Sequence, residues 1–279
     1  EDLVNSDISI DQKLIEEGTA QLTSEIQVLE AWLRELEASD DNDAEVVAAK
    51  KSYSDMLQSR KEMLSSLAKQ AKIQESMNAK VDPDWVQARY PYLRAVAIEG
   101  SEAIEHHGWK WWKKQEKDLA QLQMELIDIW HFILSEILLR STDTNSDPEK
   151  VLHEQLAIAA NTESITVDGV DYRLAEMDLV RKLELLIAVS VVRRIELSLF
   201  ASIMADCELD WTELFRQYVG KNVLNMFRQD KGYKQGKYQK IWQGREDNEY
   251  LVEIIYRLNP ADSQFKQAIY QELELAYPD

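Results

Sequence analysis

The chain has 279 residues, which is enough for one large or two modest domains with a sizeable core. It carries 51 acidic and 32 basic residues, and its formal net charge of −19 argues against general binding to nucleic acids or to anionic membranes. No run of eighteen apolar residues is present, so the sequence predicts no transmembrane helix. The single cysteine, Cys207, excludes an intrachain disulfide and is compatible with the cytoplasm, where we expect the protein to act.

Helix-forming residues dominate the composition. The chain holds eight glycines and five prolines, whereas Leu, Glu, Ala, Lys and Gln recur throughout. The latter residues have high helix propensity, while glycine and proline interrupt helices. The sequence therefore predicts an all-α fold, a helical bundle.

Residues 1–70 are strongly acidic and begin the chain. Ser9 and Gln12 predict a capping box for a helix that runs to about residue 38. The acidic turn 39–43 separates this helix from a second one. We therefore expect an αα-hairpin extension over 1–70, which serves as a packing or interaction arm, followed by the main domain over 71–279.

Two carboxamides lie on the continuation of the second helix. Gln74 and Asn78 are four residues apart and share a helix face. Most such residues are surface polars, so their spacing alone is weak support for ligand binding. Asp82-Pro83 predicts the start of the next helix, with Trp85 one turn inside it.

Two acidic pairs mark the centre of the chain. Glu99 with Glu102, and Glu125 with Asp128, are each three residues apart, so each pair presents both carboxylates on one helix face. The two predicted helices are consecutive and joined by a short turn, which makes them antiparallel neighbours. We therefore expect the four carboxylates to face one another.

The alternative is that these acids are solvated charges on amphipathic helices. The second helix, however, carries an apolar stripe beside its acidic pair, formed by Leu119, Leu122, Leu126, Ile129, Ile133 and Ile137. At about 6 Å and an effective dielectric of about 20, each pair of like charges costs roughly 3 kcal/mol, so a cation is required between them. Oxygen ligands suit Mg²⁺ or Mn²⁺.

The turn between the two helices is rich in tryptophan and lysine. The first helix is predicted over 92–107 and ends at Gly108, and residues 109–114 read Trp-Lys-Trp-Trp-Lys-Lys. Core packing would need one tryptophan. Three tryptophans with alternating cations favour a wall for base stacking with phosphate donors nearby.

Histidines suggest two rival metal sites, and both fit poorly. A di-iron bundle requires Glu-x-x-His on two helices, and only Asp128 with His131 comes close to this pattern. A zinc site at His106 and His107 is equally weak, because adjacent residues point to different sides of a helix.

The second half of the chain predicts further helices. Residues 141–152 are a polar loop that enters a helix, and 167–172 form either a small hairpin or a loop. A long apolar helix is predicted from about 174 to 206. Its apolar content places it in the centre of the fold or in a subunit interface.

Residues 221–245 reverse the charge of the chain, because cationic residues there stand against Asp230 alone. Lys221, Asn225 and Arg228 share one helix face at i, i+4 and i+7, and a glycine-containing segment follows. A basic run is normally a solvated patch. Here it complements the acidic cluster, as expected where a polyanion is bridged to carboxylates by a metal ion.

These motifs together resemble the dimeric dUTPases of the all-α nucleoside-triphosphate pyrophosphatase superfamily, which also contains phage dCTPases and MazG-type enzymes. The similarity covers roughly residues 71–140 and 210–250. It is carried by the two acidic pairs, by Gly-Trp-Lys-Trp-Trp-Lys at 108–113, by Trp-His-Phe at 130–132, and by Lys-Asn-Val-Leu-Asn-Met-Phe-Arg at 221–228 with Gly-Tyr-Lys at 232–234. The acidic arm departs from the pattern of this family.

The resemblance implies a homodimer that hydrolyses dUTP to dUMP and pyrophosphate with Mg²⁺, removing dUTP from the nucleotide pool and supplying a precursor of dTMP. Glu102 and Glu125 would be catalytic, with Glu102 polarising the attacking water. The metal ligands that the resemblance implies are Glu99, Glu102, Glu125 and Asp128. Those for phosphate are Lys221, Asn225, Arg228, Tyr233 and Lys240. Those for the base are Gln74, Asn78, Trp112, His131 and Phe132.

Alternatives remain open at this point. A carboxamide can present either its donor or its acceptor, so residue identity does not separate dUTP from dCTP. A broader MazG-like pyrophosphohydrolase uses the same metal ligands, and an acidic helical scaffold protein is the non-enzymatic reading.

Overall fold

The computed structural model describes residues 29–34, 44–160, 162–259, 262 and 264–278. These residues form an α-helical bundle with two short antiparallel hairpins, which confirms the predicted fold class. Residues 29–34 are helical; the helices that follow are α1 (Ala44–Val81), α2 (Trp85–Ala88), α3 (Tyr92–His107), α4 (Leu119–Thr144), α5 (Pro148–Ala160), α6 (Leu179–Val191), α7 (Leu197–Asp206), α8 (Trp211–Asp230), α9 (Asp247–Arg257) and α10 (Phe265–Ala276). None of the described helices is long and apolar enough to cross a membrane.

Helices α3 and α4 pack against each other as the predicted antiparallel pair. Gly108 ends α3 with a φ of 84°, a backbone conformation that favours glycine, and Asp118 caps α4 by accepting a hydrogen bond from the Gln121 N–H. The apolar stripe of α4 is buried from Leu122 onward. On the other side of α3, a Cβ atom at Gly100 would lie 2.9 Å from Ile187 of α6, so glycine is needed for this close contact.

Helix α1 runs without interruption through the predicted boundary between residues 70 and 71. Its last three turns are buried against α4 and α8, where Ile73, Met77 and the carboxamides of Gln74 and Asn78 face inward. The predicted turn at 39–43 and most of the preceding helix lie outside the described residues. One continuous helix thus joins part of the acidic arm to the bundle.

The predicted single helix over 174–206 is wrong. The chain there forms a 3₁₀ turn (Leu174–Glu176), then α6, a reversal and α7. Arg193 adopts a positive φ of 66°, and the Arg194 N–H bonds back to the Val189 carbonyl oxygen, which ends α6. The guanidinium of Arg194 also donates to Glu196 and to the Thr166 carbonyl oxygen. These polar contacts interrupt an apolar pattern that continues across the break.

The structure also settles one open alternative, at residues 167–172, and shifts two predicted boundaries. Residues 164–173 form a hairpin, β1 (Ser164–Val167) with β2 (Val170–Arg173), across the turn Asp168-Gly169. Helix α2 begins at Trp85, later than Asp82-Pro83 predicts, because Asp82 accepts from the Asp84 N–H in a turn before the helix. The loop predicted over 141–152 shrinks to a few residues, since α4 continues through Thr144 and α5 begins at Pro148.

The C-terminal segment folds back over α8. A short hairpin of β3 (Ile241–Trp242) and β4 (Arg245–Glu246) precedes α9, and α10 packs on α8 and α9. Trp242 is fully buried among the rings of Phe227, Tyr238 and Tyr277. This aromatic cluster fixes the end of the basic segment against the bundle.

Candidate active site

The acidic pairs of α3 and α4 meet where these two helices pack against each other. Oxygen atoms of Glu99, Glu102 and Glu125 all lie within 4.8 Å of one another. Glu125 is buried, Glu99 is partly buried and Glu102 is exposed, so the cluster is open to solvent on the Glu102 side. Asp128 follows Glu125 by one turn of α4 and contributes its charge to the same cluster.

The crowded carboxylates perturb one another. Burial, together with the charges of Asp128, Glu125 and Glu102, raises the pKa of Glu99 to about 7. Burial and the charge of Asp128 likewise raise the pKa of Glu125 to about 7. A carboxyl group whose pKa is this high is destabilised as an anion, which is the condition that a bound cation relieves.

A lysine and a histidine border the cluster. Lys221 Nζ lies 3.2 Å from Asp128 Oδ2, and the lysine is buried. His106 Nε2 lies 3.4 Å from Glu125 Oε1. The predicted phosphate ligand Lys221 therefore reaches the carboxylates directly from α8.

The donor set suits a hard divalent cation. Mg²⁺ binds oxygen ligands at about 2.0–2.1 Å, so ligand oxygens on opposite sides of one ion are about 4 Å apart. The spread of 4.8 Å among the three glutamates is close to this value. No histidine or cysteine belongs to this group in the described residues, so its chemistry favours Mg²⁺ or Mn²⁺ over zinc.

A cavity of about 490 Å³ opens beside the cluster, between α1, α3 and α4. Its wall includes Asp128 and Asn225 together with four of the predicted base ligands, namely Gln74, Asn78, His131 and Phe132. The remaining wall is largely apolar and aromatic, formed by residues such as Trp85, Tyr92 and Ile98. A flat ring with polar edges would fit such a surface.

Hydrogen bonds orient the polar groups of this cavity. Gln74 Nε2 donates to Asn78 Oδ1 and to Ser135 Oγ, both at 2.9 Å. His131 Nδ1 lies 2.8 Å from the Ile127 carbonyl oxygen, which can only accept, so Nδ1 carries the proton and Nε2 is an acceptor. Asn78 Nδ2 and His131 Nε2 have no hydrogen-bond partner in the described part of the chain. Two residues of the cavity wall thus each carry a buried unpaired group, a donor on Asn78 and an acceptor on His131.

Trp112 is placed differently from the prediction. It is not part of the cavity wall; instead it packs edge-on against Trp109 and Trp111, with ring centroids 5.3 and 4.6 Å apart. The three rings are exposed, and Trp111 is 85% exposed. The rings at this turn pack on one another, and none of them lines the cavity.

The remaining predicted phosphate ligands lie around the end of α8. Arg228 forms a two-pronged ion pair with Asp247, which is fully buried, and its Nη1 donates to Asn225 Oδ1 at 3.1 Å. Lys240 pairs with Glu246 at 3.3 Å, and Tyr233 is exposed. The structure brings Lys221 to the cluster and Asn225 to the cavity wall. Arg228 contacts Asn225 and Asp247 but is not part of that wall.

Sequence reasoning missed three polar residues around the site: Ser135, Tyr218 and Asp247. Ser135 lies four residues after His131 on the same face of α4, which is a spacing that could have indicated it. Tyr218 lies three residues before Lys221 on α8. Asp247 belongs to a charged sequence that reads as surface, and no local pattern indicated its burial.

The fold and site define the class as an all-α protein with a carboxylate cluster for a divalent cation beside a ligand cavity. A family model described as dUTPase matches residues 66–233, and the chain belongs to this dUTPase family. The match contains both acidic pairs, the cavity wall and all of α8. No curated protein matches the chain.

Proposed function

We propose that this protein hydrolyses dUTP to dUMP and pyrophosphate with Mg²⁺ held by Glu99, Glu102, Glu125 and Asp128. The observation that carries the proposal is the carboxylate cluster directly beside a base-sized cavity in a chain of the dUTPase family. The bound metal would neutralise phosphate charge and lower the pKa of a water molecule. Membership of the family supports an enzyme that acts on nucleoside triphosphates.

The positions of the individual residues support a separate role for each of them in catalysis or binding. Glu102 is the exposed member of the cluster, so we assign it to the orientation of the attacking water, with the buried Glu125 as its catalytic partner. Lys221, whose Nζ lies 3.2 Å from Asp128 Oδ2, would donate a hydrogen bond to a phosphate oxygen of the substrate. Asn225, whose oxygen accepts from Arg228, presents its amide nitrogen to the ligand.

The polar groups and ring surfaces of the cavity wall favour a pyrimidine base as the ligand. Uracil carries the O4 acceptor beside the N3–H donor, and these groups complement the unpaired donor of Asn78 and the unpaired acceptor of His131. Phe132 and Tyr92 supply ring surface in the same wall. Cytosine has the same two kinds of group in the reverse order, so dCTP is the competing substrate.

A panel of dUTP, dCTP, dTTP, dATP and UTP with Mg²⁺ tests this proposal. We expect kcat/KM for dUTP to exceed that for dCTP and dATP by at least about 10²-fold, because a wrong base leaves buried polar groups unpaired. Omission of Mg²⁺ should abolish turnover. Preference for dCTP would assign the sister activity, equal rates on all bases would indicate a MazG-like role, and no hydrolysis would favour a helical scaffold.

We propose in addition that the protein is a homodimer. The support comes from the dUTPase family and from apolar residues exposed near the end of α6, where Val191 and Val192 are 63% and 61% exposed. Sedimentation velocity should give about twice the chain mass of 32.4 kDa. A monomer at about 10 μM that retains full activity would contradict the dimer.

A further inference from the structure

Tyr218 of α8 lies behind the cavity and contacts two of its polar residues. Its side chain is fully buried and forms no part of the cavity wall. The hydroxyl donates to Gln74 Oε1 at 3.0 Å and also lies 3.1 Å from the Gln70 carbonyl oxygen. Its ring packs on His131 with centroids 4.5 Å apart. One residue outside the cavity thus supports both Gln74 and His131.

The Gln74 amide points its oxygen at the Tyr218 hydroxyl. Because Gln74 Oε1 accepts from Tyr218, the amide nitrogen lies on the other side and donates to Asn78 Oδ1 and Ser135 Oγ. Burial raises the pKa of Tyr218 well above its usual value, so the hydroxyl keeps the proton that it donates. Ser135 supports the same direction, since its hydroxyl accepts from Gln74 and lies 2.8 Å from the His131 carbonyl oxygen and 3.2 Å from Asn78 Oδ1, both of which can only accept.

The direction of the Gln74 amide fixes the group that Asn78 offers to a ligand. With Gln74 donating to Asn78 Oδ1, the free group of Asn78 is its Nδ2 donor. Rotation of Gln74 by half a turn would place two amide oxygens 2.9 Å apart, so Asn78 would have to rotate as well and offer its oxygen. A donor at this position complements a base carbonyl oxygen, whereas an acceptor complements an exocyclic amino group.

We propose that Tyr218 is a specificity-determining residue that acts through Gln74, fixing Asn78 as a hydrogen-bond donor so that the cavity distinguishes uracil from cytosine. This inference rests on the proposed function. It assigns Tyr218 a positioning role, because its hydroxyl does not line the cavity. It also assigns a direction to the carboxamides, since the Gln74 oxygen faces a buried hydroxyl that does not line the cavity.

The test compares Tyr218→Phe with the wild type, by the ratio of kcat/KM for dUTP to that for dCTP. We expect the ratio to fall by about fivefold or more, which corresponds to the loss of a buried hydrogen bond. The matched control is Tyr250→Phe, which removes a hydroxyl that donates to the Trp242 carbonyl oxygen; neither residue lines the cavity. This control should leave the ratio unchanged. Thermal unfolding of both variants reports any general loss of stability.

Gln74→Glu provides a second variant that does not remove the tyrosine. An ionised glutamate has no donor for Asn78 Oδ1, so Asn78 should turn its nitrogen toward residue 74 and offer its oxygen to the base. The dUTP to dCTP ratio should again fall by about fivefold or more. If the Tyr218→Phe protein does not fold, the ratio measured for Gln74→Glu tests the proposal in its place.

The outcomes separate the two proposals. A wild type that discriminates between the two nucleotides, with a ratio that changes less than about fivefold in the folded Tyr218→Phe protein, would overturn the role of Tyr218 and leave the proposed function intact. A change of less than about fivefold in the folded Gln74→Glu protein would overturn the role of Tyr218 in the same way. A wild type that hydrolyses neither nucleotide would overturn both proposals. A wild type that hydrolyses both equally would overturn the specificity role.

Discussion

Asp128→Ala and Glu125→Ala should each lower kcat/KM for dUTP by at least about 10³-fold, because loss of a metal ligand removes several kcal/mol of stabilisation from the transition state. Asp128 joins the cluster to Lys221, and Glu125 is its most buried member. Steady-state kinetics at saturating Mg²⁺ measure the effect. The matched control is Asp143→Ala on the same helix, whose carboxylate pairs with Arg89 at the surface. Activity within threefold of wild type in either cluster variant would contradict the metal site.

The same cluster should destabilise the metal-free protein at neutral pH. The pKa of Glu125 is about 4.5 in an unfolded chain and about 7 in the fold, so the penalty is absent below pH 4.5, grows between these values and is complete above about 7. With chelator at pH 8, Glu125→Gln should therefore raise the Tm by about 2–4 °C, if solvent screening leaves about 1 kcal/mol of repulsion. The gain should vanish near pH 4.5. Glu116→Gln, at an exposed position, should change neither value.

Arg228→Ala should reduce kcat/KM for dUTP by about 10²-fold, since a hydrogen bond to a charged group contributes up to about 3 kcal/mol. Of its five N–H donors, two bond Asp247, one bonds Asn248 and one bonds Asn225, which leaves one Nη1 donor for phosphate. The variant should also lose about 3–5 kcal/mol of stability, because Asp247 would remain buried without a partner. Circular dichroism must therefore show that the assayed protein is folded.

Two further variants separate charge from geometry at this position. Arg228→Lys keeps the positive charge but cannot form the two-pronged pair with Asp247, so we expect an intermediate loss. Lys240→Ala removes an exposed ion pair with Glu246 and should cost less than Arg228→Ala. Wild-type kinetics in a folded Arg228→Ala protein would remove Arg228 from the site.

Periodicity and capping residues predicted much of the fold. The bounds of α3 and its end at Gly108 follow from local sequence, as does the buried stripe of α4 that begins at Leu122. The break between α6 and α7 does not, because Arg193 and Arg194 end the helix through contacts with Glu196 and Thr166 that depend on the tertiary fold.

The same distinction between local sequence and tertiary contacts applies to the site. The glutamates of the cluster could be predicted, since i, i+3 spacing fixes a helix face and one short turn brings two faces together. The partners of Arg228 could not. Asp247 is nineteen residues away and reaches Arg228 only after the chain has folded back through a hairpin. The packing of Trp112 on other tryptophans was equally invisible, because composition does not reveal which surface an aromatic side chain covers.

The continuity of α1 decides where this protein can be shortened. Each new helix start leaves its first four backbone N–H groups without carbonyl partners, and the first turn frays. A protein that begins at residue 71 would place Gln74 and Asn78 in those first two turns, so the base-reading amides would sit on the least ordered part of the helix. A protein that begins near residue 60 keeps about ten helical residues, nearly three turns, as a leader ahead of Gln70. The arm can thus be shortened from its N-terminal end, whereas the residues just before Gln70 must stay, because they support the turns of α1 that carry Gln74 and Asn78.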